Sequence, residues 1–164
     1  MNPLDTERLF LNCPYFVKQD GEEYTFKTDY DIVYVVSFKE EDTFSPIPAY
    51  WFDLMNRSHK ASPNDSKVRE TIIRIIVEFF RVNPDIMLYM CDTANEQQAQ
   101  RNRLFLRWFM GFEQSKKFYI KTALVVDEGV ENFIAIIVPR QHPNIDDIIV
   151  HFDEEISMFQ ELKP

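Results

Sequence analysis

The densest run of chemically capable side chains lies between positions 91 and 109, where Cys91 and Asp92 precede Arg101, Asn102, Arg103 and Arg107. Cys91 and Asp92 end a continuous apolar stretch, Ile86 to Cys91, which reads as a strand covered on both faces. The carboxyl end of such a strand is where open α/β sheets hold their ligands. Arg101 falls above Leu104, Phe105 and Trp108 on the side of a helix expected to pack inward. An arginine there snorkels or pairs with a carboxylate, and Asp92 is the candidate partner. Two roles fit this pair: a brace at the strand–helix junction, or a contact to a ligand or partner. Arg103 and Arg107 share an outward stripe with Glu96 and Gln100, suited to meeting an acidic group. Asp92, Arg101, Arg103 and Arg107 are therefore the candidate ligand or partner residues, and no catalytic residue is assigned.

Other chemistries are excluded by residue type and spacing. The chain has three glycines, Gly21, Gly111 and Gly129, with none between positions 30 and 110. Neither a phosphate-cradling loop nor a dinucleotide fingerprint can be written without close backbone approach at glycine. His59, His142 and His151 have no second histidine or cysteine at ligand spacing, and Cys13 and Cys91 lie far apart, so neither metal nor disulfide is expected. His151 has Asp147 and Glu155 one turn away on either side, the spacing of an intrahelical ion pair. No cofactor is implied.

The formal net charge is -9 over 164 residues, which argues against general affinity for nucleic acid or anionic lipid. Acid gathers near both ends and base in the middle, from Arg101 to Lys121. The start, MNPLDTERLF, lacks a signal-peptide pattern, and no apolar run approaches a membrane span. These features lead us to expect a cytoplasmic single domain, a non-enzymatic interaction or regulatory module for which a protein is the candidate partner.

The elements that must position the 91–109 region follow from periodicity. Residues 13–19 and 22–28 flank Asp20-Gly21, a hairpin signal. Tyr30 to Phe38 is apolar on both faces and reads as a central strand. Residues 43–54 could be another, but Pro46 and Pro48 demote it to an edge or to an irregular entry. Asn64 or Asp65 caps a helix over 67–81, apolar around most of its surface, with Glu70, Arg74, Glu78 and Arg81 as a wet charged stripe. Thr93 and Glu96 form a capping-box pair opening a helix to about Met110, where Gly111 suits a left-handed cap. Strands over 117–127 and 132–139 meet at Asp127-Glu128-Gly129-Val130, and Asn144 caps a final acidic helix to about Phe159. The class is α+β: a mixed, largely antiparallel sheet with helices on both faces.

Three segments, RETIIRIIVEFF (69–80), LYMCDT (88–93) and RNRLFLRWF (101–109), resemble a family of small bacterial proteins of unknown function. The resemblance covers about residues 24–109 and implies no activity. The order of elements, with a helix ending at Gly111-Phe112, is also similar to the GNAT N-acetyltransferase fold. That likeness implies an acyl-CoA or other small anionic ligand as the alternative function. The chain departs from it at two places: the stretch equivalent to the pyrophosphate-gripping loop, SPNDSKVRET (62–71), has no glycine, and Arg107 stands where that family often carries a tyrosine general acid. What such kinship implies is a shared scaffold without the acetyltransferase chemistry.

Overall fold

The computed structural model describes residues 1–61, 63–92, 107–111 and 116–161. The chain is α+β, with seven strands in a mixed, mostly antiparallel sheet of order β1-β2-β3-β4-β5-β7-β6. The strands are β1 (Lys18–Asp20), β2 (Glu23–Lys27), β3 (Val33–Glu41), β4 (Ala49–Asn56), β5 (Ile86–Asp92), β6 (Phe118–Asp127) and β7 (Val130–Pro139). The helices are α1 (Thr6–Asn12), α2 (Ser66–Val82), α3, described over residues 107–111, and α4 (Ile145–Glu161). Two compact units divide the chain: Met1–Glu40 with Trp51–Pro84, and Glu41–Tyr50 with Asp85–Pro164.

In the first unit, β1 and β2 form the expected hairpin. Its register sets Asp20 against Glu23, so the two turn residues are Gly21 and Glu22. Gly21 has φ +62, the left-handed value required at the first central position of a type II′ turn. The aromatic core follows from strand alternation. Tyr24, Phe38 and Phe52 share one face, and Phe38 stacks on Phe79 of α2 at 4.4 Å between ring centroids. Ile72, Ile75, Ile76 and Phe79 are fully buried along α2.

Two expectations for this unit need correction. The charged stripe of α2 is not uniformly wet, because Glu78 is 6% exposed. Its carboxylate accepts from Arg81 Nη2 at 2.6 Å and lies 3.4 Å from Arg8 Nε. A helix outside the expected elements explains this: α1, capped by Asp5 accepting from the N–H groups of Glu7 and Arg8, brings Arg8 over the stripe. The segment before α1 is fixed as well. Asn2 and Asn83 exchange two hydrogen bonds, and the Leu4 N–H donates to the Tyr24 hydroxyl at 2.9 Å. The second concerns residues 43–54: β4 lies between β3 and β5, so the edge alternative fails and the irregular entry holds. Its prolines cost no ladder donor because both precede the strand, which starts at Ala49.

In the second unit, β5 pairs antiparallel with β7, and β7 with β6. Ile86 to Tyr89 are buried as the apolar run implies, while Met90 is exposed. The turn between β6 and β7 is Glu128-Gly129, with φ +51 and +79, the paired positive values of a type I′ turn. Helices cover both faces of β6. Phe118 meets the buried Phe109 of α3 at 5.8 Å, and Lys121, an odd number of residues along, reaches Asp153 of α4 at 2.5 Å. Gly111 is still helical and has no positive φ, so it is not the left-handed cap expected there. Among the described residues no helix is long and apolar enough to cross a membrane.

Candidate functional site

Of the four candidate residues, Asp92 is the last residue of β5, paired in register with Asn132 of β7. Arg107 is exposed on α3. Arg101 and Arg103 lie outside the described residues, as does the capping pair Thr93 and Glu96. Asp92 thus sits where expected in the sheet, at the carboxyl end of an inner strand.

Elsewhere the titratable groups form three small constellations, and the geometry of each decides what it can do. At the start of α2, Asp65 divides its carboxylate between two tasks. Oδ1 accepts from the Lys67 N–H at 3.0 Å as the N-cap, and Oδ2 accepts from the Tyr15 hydroxyl at 2.5 Å. The Tyr15 oxygen in turn accepts from the Asp29 N–H at 3.3 Å, and Lys67 Nζ bridges to Asp29 at 2.8 Å. Burial, and then the Asp65 carboxylate, push the Tyr15 hydroxyl up to about 12. The lysine partner holds Asp29 below the ordinary carboxylate value. A phenol so strongly held in its neutral form is a poor general base at neutral pH. The cluster fastens α2 to the chain around it.

In the second unit His142 is buried beside Asp85, with Nε2 2.9 Å from Oδ1. The Asn144 N–H donates to Nδ1 at 3.1 Å. Nδ1 must then carry the lone pair, which puts the proton on Nε2, donated to Asp85. Both ring nitrogens are engaged, so the pair braces the entry to β5 against the β7–α4 connection and leaves no nitrogen for a substrate. His151 is also drawn into the fold: Nε2 donates to the Thr43 carbonyl at 2.8 Å and lies 3.5 Å from Glu155, with Glu154 as a further neighbour at 3.9 Å. The thiol of Cys13 is pushed up to about 11 by burial, the opposite of an activated nucleophile. Among the described residues no group of three or more His, Cys, Asp and Glu is placed to hold a metal ion.

What sequence reasoning missed is apolar. Phe10, Leu11 and Phe16 are 61%, 80% and 58% exposed, and the two phenylalanine rings meet edge-to-face at 5.7 Å. They are held out by what is buried between them: Leu9 turns inward from α1, and Tyr15 and Val17 flank Phe16 and turn inward too. The signal lay in Asp5-Thr6-Glu7, a helix start, followed by the adjacent pair Phe10-Leu11, of which a short helix cannot bury every apolar neighbour.

A family of unknown function, DUF6169, matches residues 64–154, more than half of the chain. The chain belongs to that family. The DUF6169 match begins just before the Asp65 cap and ends inside α4, so it takes in α2, β5, β6, β7 and the histidine pair. It contains all three segments on which the sequence resemblance rested, and it runs from 64 to 154 where that resemblance ran from about 24 to 109. The Phe10, Leu11 and Phe16 cluster lies outside the DUF6169 match. No curated protein and no solved structure matches the chain.

Proposed function

We propose that the protein is a non-enzymatic, cytoplasmic interaction module whose partner is another protein. The observation that carries this reading is the exposed cluster of Phe10, Leu11 and Phe16 on a firmly anchored segment. Large apolar side chains held in place and left in water lose little entropy on binding and gain by excluding it. The Arg-rich segment, with Asp92, Arg101, Arg103 and Arg107, is the proposed second contact, directed at an acidic group on that partner.

The test is a quantitative comparison of proteins retained by the wild type and by Leu11→Ser with Phe16→Ser, alongside Arg103→Glu with Arg107→Glu. Since Leu11 and Phe16 are exposed, their substitution should change stability by no more than about 0.5 kcal/mol while removing the partner. Full retention by both variants would refute the reading. Titration with acetyl-CoA decides the alternative of a degenerate acyl-CoA binder. No binding is expected, and a dissociation constant on the order of tens of micromolar or tighter would favour that alternative.

A further inference from the structure

The second unit places β6 last in the strand order of the described residues. β6 is 10 residues long, and among the described residues no strand lies beyond it. Which of its groups are unpaired follows from the turn. A two-residue turn closes on a hydrogen-bonded pair, so Asp127 faces Val130 with its N–H and C=O, and every second residue before it does the same toward β7. The Arg140 N–H donating to the Lys117 carbonyl at 2.9 Å continues that odd-numbered ladder. Ile120, Thr122, Leu124 and Val126 therefore direct their peptide groups away from β7. The Leu124 carbonyl confirms it, since it accepts at 2.8 Å from Gln160 Nε2 of α4 and not from β7.

Natural edges are blunted by brevity, charge, proline or bulges. β6 has none of these along its middle. Its charged side chain, Lys121, is committed to Asp153, and Thr122, Leu124 and Val126 are exposed. The charges stand at its ends instead, with Lys116 and Lys117 just before the strand, Asp127 as its last residue and Glu128 after it, all exposed.

We propose that β6 pairs antiparallel with β6 of a second copy of this chain, about a two-fold axis at Thr122. In that register Thr122 lies opposite Thr122, Ile120 opposite Leu124, and Phe118 opposite Val126 of the second copy. The same register sets Lys117 opposite Asp127 and Lys116 opposite Glu128, twice over by symmetry. Lys121 lies opposite Ala123, so no like charges are directly opposed along the strand. This charge complementarity is what selects a second copy as occupant: the strand is basic at its start, acidic at its end, and an antiparallel mate inverts one against the other. The Leu124 carbonyl, which has two lone pairs, can accept from the second copy's Ile120 N–H while Gln160 keeps its bond. The pairing lies in a different unit from the apolar cluster of Phe10, Leu11 and Phe16, and does not depend on it.

Sedimentation equilibrium of the full chain tests the pairing. The wild type should be a dimer, and Lys116→Glu with Lys117→Glu should weaken it by about tenfold or more, as should Asp127→Lys with Glu128→Lys. Mixing the two variants should restore a heterodimer, because each then supplies the charge the other has lost. Thr122→Pro, which removes an N–H that β7 does not use, should abolish association while circular dichroism shows the fold retained. A wild type that stays monomeric at concentrations of order 100 μM overturns the proposal. So does a dimer indifferent to all three variants, or a mixture of folded charge variants that fails to associate.

Discussion

The sheet has two edges, and they are built in opposite ways. β1 is 3 residues long, Lys18-Gln19-Asp20, all exposed and mostly charged. β6 is 10 residues long and apolar through its middle. Both belong to hairpins with two-residue turns, so turn length does not distinguish them. The difference is in what each strand buries: β1 supplies no core side chain, whereas β6 places Phe118 and Val125 in the interior on opposite faces. A strand that must be apolar on both faces to hold its helices cannot also be charged along its length. Its exposed charges stand at the two ends, and they are complementary to each other.

If β1 is a blunt edge resting on a core it does not help to build, stability of its unit should depend on α2. Ile76→Ala, at a fully buried site, should cost about 2–5 kcal/mol in urea melts, and Gln19→Ala no more than about 0.5 kcal/mol. Next comes the Tyr15 hydroxyl, whose loss in Tyr15→Phe should cost about 1–3 kcal/mol, since it donates to a carboxylate. Its folded value is raised from 10.0 to about 12, so the stability it contributes is fully present below 10.0 and is lost as pH rises through about 12. Melts of Tyr15→Phe should show a shallower alkaline decline than the wild type, and equal declines would count against the assignment. The smallest effect belongs to the β6–β7 turn, where Glu128 holds φ +51 without being glycine. Glu128→Asn should stabilise by about 0.5–1 kcal/mol, because asparagine tolerates the left-handed region.

Much of the fold could be read from local pattern. The two hairpins, the central β3, the buried start of β5 and the Asp65-capped α2 all follow from periodicity and turn residues close in sequence. What escaped was set by partners far away. Glu78 looks like one position of a charged stripe until α1 brings Arg8 across it, 70 residues earlier in the chain. His142 shows no companion at short spacing, because Asp85 lies 57 residues away. The prolines near β4 mark where the strand begins, which composition alone does not separate from an edge. For the candidate site, the position of Asp92 at the carboxyl end of β5 was legible from the apolar run before it. Arg107 falls on a helix as its stripe implied, and Arg101 and Arg103 lie outside the described residues.

The contrast between the two edges is tested most directly by amide hydrogen exchange measured as a function of protein concentration. With β6 paired to a second copy, the N–H groups of Ile120, Thr122, Leu124 and Val126 should exchange more slowly as concentration rises. The Gln19 N–H, on the blunt edge, should exchange at the same fast rate throughout. Exchange along β6 that does not change with concentration, whether fast or slow, would contradict this account.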